Sequence, residues 1–297
     1  MIRRPRPATI IGSACFIALL ANVRAWSSSP RRLDHGFGSD GLLKETFNGV
    51  VQFPTNVDEI VSLSDGGFLA LTAGVLVRFR ANGERDPSFP PSNIATMMVA
   101  NIGCGNSLVG GSCVPNRIRV AVAPGDRIVV GASLAHFFCA SVNCGSVPPT
   151  RPGIVRLLPD GSLDRTFGTN GVIAGLGSGE VTIAALATDS QNRTVVSACG
   201  LGLIRLTSAG DRDGTFADSG VAGLSCPDQI LVQPDGKILT KAFTDAGTTL
   251  RRYDDDGRVD VGFGQAGAVD VELGDRQGPE PSALLPEGRI LVNGKSG

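Results

Sequence analysis

Apolar residues in this chain fall in short stretches, each closed by a glycine-bearing turn, and one longer stretch stands apart. The longer one runs from Ala8 to Ala21 behind Arg3, Arg4 and Arg6, with small side chains at Val23 and Ala25. A basic start, an apolar run and small residues at the −3 and −1 positions predict a signal peptide over residues 1–25. The run falls short of the ~20 apolar residues that a spanning helix needs. Residues 26–32 then read as a linker and residues 33–297 as one β-repeat domain. The expected location is secreted, periplasmic or cell envelope, with no stable membrane insertion after signal cleavage.

Past the linker the short stretches repeat. Arg78–Phe89 (RFRANGERDPSF), Arg156–Phe167 (RLLPDGSLDRTF), Arg205–Phe216 (RLTSAGDRDGTF) and Arg252–Phe263 (RYDDDGRVDVGF) align without a gap. Each starts with Arg and carries Gly five residues on, Asp eight on and Phe eleven on. Gly171, Gly220 and Gly267 follow four residues after the last three phenylalanines, and Leu33–Gly41 repeats the second half of the motif. A second motif lies upstream of each copy, clearest at Val232–Leu239 (VQPDGKIL) and Leu63–Leu69 (LSDGGFL). Val122–Ile128 and Thr188–Thr194 are weaker copies, and Leu285–Leu291 begins a fifth.

Turn chemistry gives these motifs a shape. In Pro159-Asp160-Gly161, Pro presets φ, Asp suits the second position and Gly takes the left-handed site of a bulged three-residue hairpin loop. Such a loop sets Arg156 opposite Asp164 across the hairpin. The same arithmetic pairs Arg78 with Asp86, Arg205 with Asp213, and Arg252 with Asp260, structural opposite-charge pairs in every unit. Two hairpins per unit make four strands, A to D. Motif phenylalanines at positions 37, 89, 167, 216 and 263 are blade-spaced. The expected fold is an all-β, propeller-like array of four-stranded antiparallel units, about five blades, the last lacking its Arg strand. The half-motif at Leu33–Gly41 could complete that last blade, and an open stack of β-units is the alternative.

The strings LDRTFGTNG, QPDGKIL and RYDDDGRVD resemble the delta-60 repeat family of bacterial, mostly exported proteins, over nearly the whole mature chain. The resemblance implies a propeller-like β-repeat and no particular activity. Unit one departs from the pattern with Pro90-Pro91, and unit three with Gln191-Asn192 in place of Asp-Gly.

Composition narrows the function classes. A net charge of −1 and the lack of a basic stripe with interleaved aromatics disfavour nucleic acid as partner. Forty glycines, eighteen prolines and 5% aromatics suit many turns between short strands. Besides Cys15 in the leader, six cysteines remain, an even count that suits disulfides in an oxidising compartment. Adjacency suggests Cys104–Cys113, Cys139–Cys144 and Cys199–Cys226, although other pairings are open. Insertions around Asn101–Asn116 and Leu134–Pro152 lengthen unit two, and up-and-down connectivity sends both to the face opposite the Asp-Gly turns. All six cysteines then meet on one rim, with His136, Phe137 and Phe138 beside them as a binding rim.

Catalytic chemistry is faint. No G-x-S-x-G elbow occurs, and the only histidines are His35, inside a repeat motif, and His136. Gly175–Gly179 has the wrong spacing for a phosphate loop. Asp254-Asp255-Asp256-Gly257 has carboxylates that suit calcium, but it stands at a hairpin turn and no glutamate closes the site. No catalytic, cofactor or metal residue is therefore assigned. The favoured expectation is a non-enzymatic exported binding or scaffold module for a protein or glycan partner. A propeller hydrolase or lyase with a metal or acidic residues near the central channel, and a purely structural repeat, are the alternatives.

Overall fold

The computed structural model describes residues 34–43, 57–102, 112–140, 143–177, 180–223, 226–244, 247–271, 282–284 and 290–292. The predicted signal peptide and linker, and Cys104, lie outside the described residues. Four four-stranded antiparallel sheets follow one another, each with its strands in chain order. Unit one holds β1 (Glu59–Ser62), β2 (Phe68–Thr72), β3 (Val75–Phe79) and β4 (Ser92–Asn93). Unit two holds β5 (Ser112–Ala123), β6 (Arg127–Ala140), β7 (Asn143–Leu157) and β8 (Val172–Ala174). Unit three holds β9 (Thr182–Thr188), β10 (Thr194–Cys199), β11 (Gly202–Leu206) and β12 (Val221–Ala222). Unit four holds β13 (Gln229–Val232), β14 (Ile238–Thr244), β15 (Gly247–Tyr253) and β16 (Ala268–Val271). A hairpin of β17 (Ser282–Leu284) and β18 (Ile290–Val292) begins a fifth unit. This is the propeller-like all-β array, with its sheets not closed into a barrel.

The first strands of neighbouring units lie side by side, β1 by β5, β5 by β9 and β9 by β13. Apolar residues of adjacent sheets form the core between them. Phe89 and Leu157 share one cluster, Phe167 and Val196 the next, and Phe216 and Tyr253 a third. Burial between sheets makes each unit depend on its neighbours, as in other repeat folds.

The repeated Arg, Gly, Asp and Phe build the outer part of each joint. Arg156 Nε lies 2.9 Å from Asp164 Oδ2. The corresponding distances are 2.8 Å for Arg205 and Asp213, 2.8 Å for Arg252 and Asp260, and 3.2 Å for Arg78 and Asp86. Three of these guanidinium groups also lie over the motif phenyl rings, at 4.4 Å for Arg156 on Phe167, 4.7 Å for Arg205 on Phe216 and 4.5 Å for Arg252 on Phe263. Arg78, Arg156 and Arg205 then reach into the next unit's turn. Arg78 Nη1 donates to Pro159 O (3.1 Å), Arg156 Nη1 to Ser208 O (2.6 Å), and Arg205 Nη1 to Asp255 O. The motif Phe of one unit lies under the turn Gly of the next: a Cβ added to Gly257 would stand 2.7 Å from the Phe216 ring. That contact, with a φ of 86°, is why the position is glycine.

Two features differ from the sequence expectation. The fourth strand does not start directly after the Asp-Gly turn. One bridge, Leu157 to Leu163, is followed by a second turn through Phe167, and β8 starts only at Val172. Gly171, at φ 94°, carries the chain back so that its carbonyl accepts from Arg156 N at 3.0 Å. Unit one also contains a helix, α1 (Ile94–Ile102), where only strands and an insertion were expected. Asn93 caps it, its Oδ1 accepting from Thr96 N at 2.9 Å, and Ile94, Met98 and Ile102 face inward at helical spacing. The half-motif docks on unit one as a preceding unit would. Gly38 N donates to Asn82 O at 2.7 Å, matching Gly168 N to Ala209 O at 2.7 Å.

Candidate functional site

The first strand of each unit has its inner edge unpaired, and the side chains there line a central cavity of about 720 Å³. Such an edge exposes backbone N–H and C=O groups that must find other partners. Cross-unit side chains supply several. Val120 N donates to Glu59 Oε2 (2.8 Å), Arg119 Nε donates to Ala184 O (2.8 Å), and Thr188 Oγ1 donates to Val122 O (2.6 Å). Glu59 and Arg119 therefore have a structural role before any functional one.

Register brings charged residues to one level of the cavity. The A–B turns of the four units close with Leu63 N to Gly67 O, Ala123 opposite Arg127, Asp189 N to Arg193 O and Gln233 N to Lys237 O. Four residues before each turn stand Glu59, Arg119, Ala185 and Gln229, and one residue earlier Asp58 and Asp228 share a level. Lys241, opposite Gln229 on β14, lines the same space. This end is the one away from the Asp-Gly turns, because Glu59 pairs with Leu71 near the β2–β3 turn. We call it the mouth.

Charge at the mouth is incompletely matched. Burial raises the Glu59 carboxyl from 4.5 to about 7, against the Val120 hydrogen bond and the nearby Arg119 charge, with Asp58 adding to the rise. Burial likewise raises Asp228, opposed chiefly by Lys241. Asp228 Oδ1 is buried and accepts no hydrogen bond among the described residues. Burial lowers the Arg119 guanidinium, and Glu59 pulls it back. Asp58 is spent on structure, its Oδ2 accepting from Ala73 N at 2.9 Å.

A bulge aims the basic side. The β5–β6 register shifts between Asn116 and Arg119, and Arg117 takes a left-handed φ of 52°. Bulges bend a strand and re-aim side chains at sheet rims. Arg117 is exposed here and lines an adjoining cavity with Asp58 and Arg119.

The cysteine-bearing segments rise from the same end. Cys199 and Cys226 are disulfide-bonded, with Cα atoms 4.8 Å apart. Cys139 and Cys144 are register partners at the tip of the β6–β7 hairpin, and Cys113 on β5 pairs with His136 on β6. Phe137 and Phe138 continue β6, opposite Ser146 and Gly145 of β7. Unit two thus extends as a long three-stranded sheet beside the mouth.

The other sequence candidates lie elsewhere. His35 Nδ1 contacts Asp40, out on the half-motif. The Asp254–Asp256 carboxylates face different cations: Lys237 Nζ at 2.5 Å from Asp254, Arg193 at 2.5 Å from Asp255 and Arg258 at 2.6 Å from Asp256. Among the described residues no three His, Cys, Asp or Glu side chains gather as metal ligands. Sequence reading missed Glu59, Arg119 and Asp228. The available signal was a charged residue four or five positions before the A–B turn in units one, two and four, with Ala184 and Ala185 there in unit three.

A model of a β-propeller domain of unknown function (DUF5122) matches residues 145–167, the stretch holding most of β7 and the Arg156 to Phe167 motif. No curated protein matches the chain. Among solved structures, a protein of unknown function from Bacteroides caccae aligns with a TM-score of 0.46 and 8% identity, over 81% of this chain and 71% of its own. A streptogramin B lyase aligns at 0.43 and 10% identity, covering 83% and 86%. A gluconolactonase from Xanthomonas campestris aligns at 0.39 and 18% identity, covering 69% and 60%. Among the described residues no helix is long and apolar enough to cross a membrane. The chain is a β-propeller-like repeat protein with at least one disulfide.

Proposed function

We propose that this is an exported, non-enzymatic binding module whose ligand enters the channel mouth beneath the long β5–β7 sheet. The observation that carries the reading is the mouth itself, where half-buried Glu59 and Asp228 are not fully paired and face a cavity of ligand size. The motif Arg–Asp pairs at the other end are matched, and the imperfect pairing here supports this end as the functional one. The Cys139–Cys144 hairpin with His136, Phe137 and Phe138 forms the outer wall for a glycan or protein partner. Thermal-shift measurements against glycans and small polar ligands test this. Ligands that raise the wild-type melting temperature should lose that effect in Glu59→Gln with Asp228→Asn. Ligands that stabilise both equally bind elsewhere and contradict the reading.

A second reading is a hydrolase or lyase at the same place. It is favoured by Glu59, since a carboxyl titrating near neutrality suits general acid–base work. Product formation from a panel of glycosides and lactones, abolished by Glu59→Gln, would replace the binding reading with this one.

A further inference from the structure

We propose that the mouth takes a sugar acid, with its carboxylate on Arg119 and Arg117 and a hydroxyl on Asp228. This rests on the binding reading above and names its ligand class.

The basic half of the site comes from the β5 bulge. Arg119 uses Nε on Ala184 O and Nη1 on Ile118 O, and its Nη2 donates to nothing among the described residues. A guanidinium edge with a spare donor beside a cavity suits a carboxylate, which accepts from a planar fork. Arg117, two residues away across the bulge, adds an exposed guanidinium beside the half-buried one of Arg119.

The acidic half supplies the sugar contacts. Asp228 Oδ1 is buried and lacks a donor, and a ligand hydroxyl would satisfy it. Glu59 already accepts from Val120 N through Oε2. When protonated it can donate through its other oxygen and no longer repels an anion.

Every neighbouring element contributes to this balance. Asp58 and Glu59 come from the β1 side, Arg117 and Arg119 from β5, Asp228 from the entry to β13, and Lys241 from β14, whereas β9 brings Ala185, Ala187 and Thr188. With Glu59 neutral, three cations face two carboxylates, so the mouth attracts a monoanion. With Glu59 ionised the two sides balance and that attraction is lost.

Calorimetry with D-galacturonate and D-galactose, which differ in the carboxylate, tests the proposal. Binding only to the protonated Glu59 form scales the apparent affinity by the protonated fraction, so galacturonate should bind ~30-fold more tightly at about pH 5.5 than at about pH 8.5. Galactose should bind at least ~10-fold more weakly than galacturonate at the lower pH, the loss of one good charged contact. Glu59→Gln should bind galacturonate with no such pH dependence, and Arg117→Ala, on an exposed side chain, should weaken it while leaving the fold intact. A galacturonate trimer binding more tightly than the monomer assigns the ligand to a polymer, and equal binding assigns it to the free acid; both support the inference. If galactose binds as well as galacturonate, the binding reading stands and the acid specificity falls. If neither sugar binds and the wider ligand panel also gives no shift, both fall.

Discussion

The two ends of this repeat array use charge in opposite ways. At the Asp-Gly turn face, each motif aspartate has a full set of partners. Burial pushes Asp164 up, but two hydrogen bonds from Thr166 and the Arg156 guanidinium outweigh it and hold the carboxyl below the ordinary range. Asp213 repeats this with Thr215 and Arg205. In Asp86 the Ser88 hydroxyl is the leading cause, and in Asp260 it is Lys237. At the mouth, burial wins instead and raises both Glu59 and Asp228. One end holds joints together. The other leaves two carboxyls in surroundings that favour their protonated form.

That contrast can be broken at the turn face first. Asp164→Asn leaves Arg156, 4% exposed, as a buried cation without its counter-charge. An uncompensated buried charge costs about 3–5 kcal/mol, and urea unfolding should show a loss of that size. A change within about 0.5 kcal/mol would mean that the pair is decoration. At the mouth, Cys199→Ser opens a loop with a sequence separation of 27. Loop-closure entropy puts the loss at about 3.5 kcal/mol, read by unfolding with and without reductant, which should affect the wild type but not the variant at this bridge.

The smallest effect sharpens the comparison most, because its sign changes with the end of the molecule. Folded Glu59 binds its proton more tightly than the unfolded chain does. Its contribution is therefore fully present below about 4.5 and is lost as pH rises through about 7. A rise of that size corresponds to about 3 kcal/mol, so Glu59→Gln should raise stability by that much at about pH 8 and little at about pH 4. The turn-face aspartates behave the other way. Asp164 binds its proton less tightly when folded, so its contribution holds above 3.8 and is lost as pH falls through the lower folded value. Wild-type stability should thus fall on both sides of mild acidity, with only the alkaline limb removed in Glu59→Gln.

The sequence made one end legible and hid the other for a physical reason. Arg156, Asp164, Gly161 and Phe167 answer a local demand that recurs at every joint, so the same residues recur and announce themselves. Glu59, Arg119 and Asp228 answer no repeated demand. The equivalent level holds Ala185 in unit three and Gln229 in unit four, and only the packing of β1, β5, β9 and β13 brings these positions together. The insertions were visible as broken spacing, but not the bulge at Arg117, which leaves no mark in composition. Helix α1 was missed because nine residues carry too little periodicity to stand out from a strand-rich background. The late start of β8 was missed because the second glycine looks like a spacer until Arg156 N is seen bonded to Gly171 O.

The central claim is that the mouth holds a carboxyl kept out of balance by its surroundings. Carbon-detected NMR titration of glutamate side-chain carboxyls, with Glu59→Gln to assign the signal, measures it directly. The account predicts that the resonance missing in the variant titrates near 7 in the wild type, against 4.5 for an ordinary glutamate. If that resonance instead titrates with the ordinary group near 4.5, the mouth is as well balanced as the turn face and the account is contradicted.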